Sequence, residues 1–132
     1  MNRISEILAS AHTIAVVGLS SKRFRPSYGV SEYLRRAGYR IIPVNPNENE
    51  VFGEKAWPDL DSAPEGVEIV SIFRRSEFVP EVVEAAIRKG VKAIWMQEGV
   101  VHEAAARRAR EAGIEVAMDR CILKDHRRLA YA

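Results

Sequence analysis

Cysteine is nearly missing from this chain, with Cys121 alone among 132 residues. An internal disulfide is therefore excluded, and no second Cys or His lies at metal-ligand spacing from Cys121, which removes zinc and iron–sulfur sites. Long apolar runs are missing too. No stretch approaches the roughly 20 residues a membrane span requires. The opening Met1-Asn2-Arg3-Ile4-Ser5-Glu6 lacks the basic-then-apolar layout of a secretory signal, so a cytosolic location is expected. Charge of one sign is also lacking: 20 basic and 18 acidic residues, spread along the chain, give a net charge of +2. No broad positive field is available for a nucleic-acid backbone, and any anion must be held locally. No Gly-Lys-Ser/Thr of a P-loop occurs, and no G-x-G-x-x-G.

What is present suits one core. At 132 residues and 47% hydrophobic content the expectation is a single domain over residues 1–132, with no room for a second, catalytic one. Five short, β-branched, near-continuous apolar runs lie at residues 13–17, 40–44, 68–73, 93–96 and 114–118. Such runs read as strands covered on both faces. Between them, residues 28–37, 78–88 and 102–112 place apolar side chains three and four apart, the spacing of amphipathic helices. These helices close on Gly38, Gly90 and Gly113, each leading directly into a strand. Ser76 is expected to cap the second of them, with Pro80 in its first turn.

Residues 45–66 are irregular and suggest loops with one helical turn near Trp57 and Leu60. The alternation predicts an α/β fold: a Rossmann-like, doubly wound parallel sheet of five strands in the order 3-2-1-4-5, with right-handed crossovers and helices on both faces.

In such sheets ligands bind beyond the carboxyl ends of the strands, where the winding reverses. The first strand runs into Gly18-Leu19-Ser20-Ser21-Lys22-Arg23-Phe24-Arg25 before a helix. Gly18 lets backbone approach a ligand, the helix start offers amide hydrogens, Ser20 and Ser21 add hydroxyls, and Lys22, Arg23 and Arg25 add positive charge. Together they suit a phosphate. The second strand ends Pro43-Val44-Asn45-Pro46-Asn47 with no carboxylate at its tip, so NAD fits poorly. The third ends Phe73-Arg74-Arg75, whose guanidinium groups favour a ligand with more phosphate than NAD carries.

Val16-Val17-Gly18-Leu19-Ser20, Pro43-Val44-Asn45-Pro46, Gln97-Glu98-Gly99 and Asp119-Arg120-Cys121 together resemble the CoA-binding protein family of small bacterial and archaeal proteins. That family looks like the CoA-binding domain of the succinyl-CoA synthetase α subunit standing alone. The resemblance spans roughly residues 5–129. It implies coenzyme A as cofactor, with the loop from Leu19 to Arg23 around its phosphates, the segment from Pro43 to Asn47 flanking the adenosine, and Phe73 and Arg74 bordering the cleft. It also implies that the turn carrying Gln97 and Glu98 touches CoA. Arg74 and Arg75 depart from the synthetase, which has an apolar, proline-rich stretch there.

The expected partner is therefore CoA or acyl-CoA, with a homo-oligomer or partner enzyme left open, and no nucleic acid or membrane. The synthetase's phosphorylated histidine lies in a second domain that has no counterpart here. No Ser-His-Asp arrangement or Tyr-x-x-x-Lys pair replaces it, so the first expectation is a binding module without catalytic residues of its own. The alternative is an NADP-dependent reductase, or a CoA-dependent transferase using Cys121 or Glu98. Cys121 reads more simply as a packing residue. Glu98 reads as orienting the ligand or the next helix, Trp95 as core, and His12, His102 and His126 as surface or capping residues. Residues 124–129 read as a basic helix or tail.

Overall fold

The structure, a computed structural model, describes residues 2–130. Five parallel strands form the main sheet: β1 (Thr13–Val17), β2 (Arg40–Val44), β5 (Ile69–Ile72), β6 (Ala93–Met96) and β7 (Glu115–Met118). A two-stranded antiparallel ribbon, β3 (Glu50–Val51) and β4 (Glu54–Lys55), interrupts the long connection after β2. The helices are α1 (Arg3–Ser10), α2 (Pro26–Arg36), α3 (Val79–Lys89), α4 (Glu103–Glu111) and α5 (Ile122–Ala130). None is long and apolar enough to cross a membrane among the described residues.

Strand side chains alternate between two buried layers, which is why the apolar runs are nearly continuous. Ala15, Val17, Ile42, Val70, Ile72, Ile94 and Met96 pack beneath α3 and α4. Ile14, Val16, Ile41, Ile69, Ala93 and Trp95 pack against α1, α2 and α5. Rossmann-like layering, with helices on both faces, follows directly.

The strand order differs from expectation. Hydrogen bonding runs β2-β1-β5-β6-β7, so the five apolar runs lie in the order 2-1-3-4-5 rather than 3-2-1-4-5. Proline explains it. Pro43 lacks an amide hydrogen and so belongs on an edge strand. Its carbonyl accepts from the Trp57 amide at 3.0 Å, while Asn45 donates its amide hydrogen to the Trp57 carbonyl at 2.8 Å. A returning loop thus occupies the outer flank of β2, and the third run pairs with the other side of β1. Trp57 makes this bridge rather than a helical turn; the chain turns at Leu60 to Ser62 instead.

Three further details were not anticipated. Asn2 caps α1 by accepting from the Ser5 amide at 2.9 Å, in a segment to which no element was assigned. Ser76 opens a short 3₁₀ turn, Ser76–Phe78, and does not cap α3; its hydroxyl accepts from the Val101 amide at 2.9 Å. His126 is not a surface residue. It lies half-buried on α5, 2.8 Å from the Tyr33 hydroxyl and edge-on to Tyr39. His102 does cap α4, accepting from the Ala105 amide.

At the amino edge of the sheet, Glu68 accepts from the amides of His12 at 2.7 Å and Thr13 at 3.2 Å. Burial works to raise its pKa, but these amides and Lys92 outweigh that and hold it below its ordinary value of 4.5. A carboxylate with a lowered folded pKa adds stability that is present above its unfolded pKa and lost as pH falls through the folded one. Urea denaturation should therefore show wild-type stability declining below about pH 4.5, with a shallower decline in Glu68→Gln and a lower plateau at neutral pH.

Candidate functional site

Order 2-1-3-4-5 reverses its winding between β1 and β5, so the crevice at their carboxyl ends is the topological place for a ligand. There the ladder continues past the strands: Phe73 donates its amide hydrogen to the Val17 carbonyl and Gly18 donates to that of Val44, both at 2.8 Å. Gly18 has φ +93°, and a Cβ on it would stand 2.5 Å from the Phe73 carbonyl oxygen. Only glycine fits so tight a seam.

Two clefts open from this seam and share Gly18, Asn45, Asn47, Phe73 and Arg74. The front cleft, on the α2 side, has a volume of about 800 Å³ and is walled by Ser20, Lys22, Arg25, Ser27, Glu48, Arg75, Gln97, Glu98 and Cys121 as well. The rear cleft, of about 600 Å³, lies over α3 and takes in Val44, Pro46, Leu60 and Val82. Both volumes fall in the range of about 300–1,000 Å³ usual for small-ligand sites.

Cations gather at the front. Lys22 and Arg25 line it, and no ion pair among the described residues engages either of them or Arg23. Arg25 precedes α2, whose amino end has Pro26 in its first turn and no side-chain cap. Two expected arginines are less free. Arg74 pairs with Glu81 at 3.1 Å and stacks on Phe78 at 4.2 Å, and Arg75 approaches Glu77 at 3.8 Å. Neither bond closes the cleft, because both side chains still line it.

Twelve of the sixteen expected site residues line one cleft or the other: Gly18, Ser20, Lys22, Arg25, Val44, Asn45, Pro46, Phe73, Arg74, Arg75, Gln97 and Glu98. Leu19, Ser21, Arg23 and Pro43 do not. Leu19 is fully buried, and its carbonyl accepts from the Asn45 side chain at 3.0 Å. Ser21 donates to Glu48, Arg23 is exposed, and Pro43 forms the edge bridge to Trp57.

The fourth strand's turn is built from the end of the chain. Gln97, 3% exposed, donates to the Ser71 hydroxyl and accepts the amide hydrogen of Ile122. Asp119 accepts from the Gly99 amide at 2.7 Å, and Glu98 pairs with Lys124 at 2.8 Å. This bonding puts Cys121 on the cleft wall, so Asp119-Arg120-Cys121 follows from packing the last helix against the turn.

A family profile described as a CoA binding domain matches residues 12–127. The chain belongs to the CoA-binding domain family. A member-like relative, the uncharacterized protein YneT of Bacillus subtilis, is 43% identical over 123 residues, or 93% of this chain and 91% of that one. The alpha subunit of an ADP-forming acetate–CoA ligase I of Pyrococcus furiosus is 33% identical over 95 residues, which is 67% of this chain but only 21% of the subunit. Against that ligase subunit, the match is to a fraction of a longer protein. Among solved structures, a hypothetical protein of Pyrococcus horikoshii is 38% identical with a TM-score of 0.92, covering 96% of this chain and 89% of that one. A Thermus thermophilus protein is 36% identical with a TM-score of 0.92, covering 98% and 99%.

Sequence reasoning missed Ser27, Glu48 and the rear wall of this CoA-binding domain. The rear wall could not be found from the assumed strand order, which left residues 58–61 far from the third strand's helix. Gly18→Ala should lower unfolding stability by about 2–4 kcal/mol, combining left-handed backbone strain with the clash at Phe73, as read by urea denaturation.

Proposed function

We propose that this protein is a cytosolic CoA or acyl-CoA binding protein that holds the ligand's phosphates in the front cleft and uses no catalytic residue of its own. The observation that carries the reading is the pairing of two cations outside any ion pair, Lys22 and Arg25, the latter over the exposed Phe24 ring at 5.4 Å, with a helix start that has no side-chain cap at the sheet's reversal point. A helix start favours anions and guanidinium groups pair with phosphate oxygens. Coenzyme A brings a pyrophosphate and a 3′-phosphate, and its donor requirements match this rim: Lys22, Arg25, Arg74 and Arg75 with the hydroxyls of Ser20 and Ser27. Membership of the CoA-binding domain family supports the same ligand.

Two clefts meeting at Gly18 suit a long ligand with unlike ends. The front cleft carries Lys22, Arg25, Arg74 and Arg75 beside Glu48 and Glu98, and the rear sets Val44, Pro46, Leu60 and Val82 beside Asp59, Asp61, Glu81 and Arg88. On this reading the whole of residues 1–132 acts as one CoA-binding unit, and any group transfer is the work of a partner.

Calorimetric titration with CoA, acetyl-CoA, NADP and NAD tests the reading. CoA or acetyl-CoA should bind with a Kd on the order of micromolar; binding of NADP with none of CoA would sink it. Lys22→Ala and Arg25→Ala should each weaken CoA about tenfold, near 1.4 kcal/mol. A loss larger for CoA than for dephospho-CoA assigns that side chain to the 3′-phosphate, and an equal loss assigns it to the pyrophosphate.

A further inference from the structure

Three successive amides of the loop after β1 are turned toward side-chain oxygens. Ser20 donates to the Ser27 hydroxyl at 3.1 Å, Ser21 to Glu48 Oε2 at 2.8 Å, and Lys22 to the Ser20 hydroxyl at 3.1 Å. The Ser21 hydroxyl donates to the same Glu48 oxygen at 3.0 Å. Runs of amides like this are anion-binding groups. Two of the acceptors are neutral and belong to the loop and the helix that follows it. Glu48 is different: it is an anion, it comes from the loop after β2, and it lines the front cleft.

We infer that Glu48 sets the phosphate affinity of the cleft: its carboxylate lines the cleft, covers the Ser21 amide and hydroxyl, and competes with a ligand phosphate for them. The inference rests on reading the cleft as a site for a phosphate-bearing ligand. Charge-assisted hydrogen bonds are about twice as strong as neutral ones, so amides and ribose hydroxyls of a ligand do not displace the carboxylate. A phosphate does, because it carries more charge and more acceptor oxygens, and Lys22 and Arg25 stand beside the exchange point to receive it. The two anions repel at short range, so they do not share these donors. Glu48 therefore lowers affinity for a ligand that brings a phosphate to these donors, and removing its charge raises that affinity.

The test compares wild type, Glu48→Gln and Glu48→Ala in calorimetric titrations with inorganic pyrophosphate and with CoA. Gln keeps an acceptor for Ser21 without the charge, so it preserves the loop should Ala disturb it; thermal unfolding reports which variants are intact. The expected result is about tenfold tighter pyrophosphate and CoA binding by Glu48→Gln. Unchanged or weaker pyrophosphate binding by a folded Glu48→Gln would overturn the inference and make the carboxylate a tie between loops. A gain for pyrophosphate with no CoA binding by any form would leave Glu48 in this role and discard the CoA reading.

Discussion

At Gly18 three strand ends are drawn together. The glycine amide is bonded to the Val44 carbonyl, and its α-carbon is pressed so close to the Phe73 carbonyl that no side chain fits between them. The contact sits where β1 runs between β2 on one flank and β5 on the other. The loop after β1 must then rise out of the sheet at one spot and begin α2 beside it. The cleft, the exposed cations and the helix start all inherit their position from that seam.

Much of this was legible in the sequence. The apolar runs at residues 13–17, 40–44 and 93–96 coincide with strands, and the three inner helices fall within two residues of their expected ends. Buried parallel strands and glycine-closed helices leave strong local patterns, so this is unsurprising. The order of the strands was misjudged although Pro43 carried the needed signal: a residue without an amide hydrogen marks an edge. Attention to it would have placed the second run outermost and brought residues 58–61 over α3.

Side-chain commitments were harder to read than positions. Arg74 and Arg75 stand where expected, yet Glu81 and Glu77 lie on the same surface within reach of them, at sequence separations that only the 3₁₀ turn and α3 together bring into register. Gln97 also lines the cleft, but its amide is consumed in joining Ser71 to the start of α5. The glutamine's bonds join three elements at once, and no short window of sequence contains them. The site cations outside any ion pair, Lys22, Arg23 and Arg25, are those on a loop with no carboxylate of its own.

The absence of an acidic residue at the tip of β2 argued against NAD, and the structure refines that argument. A carboxylate does come from the β2 loop, but as Glu48, four residues beyond the strand, where it bonds the loop after β1. A ribose-holding carboxylate must leave its oxygens open to the ligand's hydroxyls. Here one oxygen already accepts two hydrogen bonds from Ser21. The same charge that would hold a ribose instead lies across the loop amides, where a phosphate competes with it. A phosphate reaching Ser21 has to displace this carboxylate, and Lys22 and Arg25 on the same wall carry the charge that offsets the exchange.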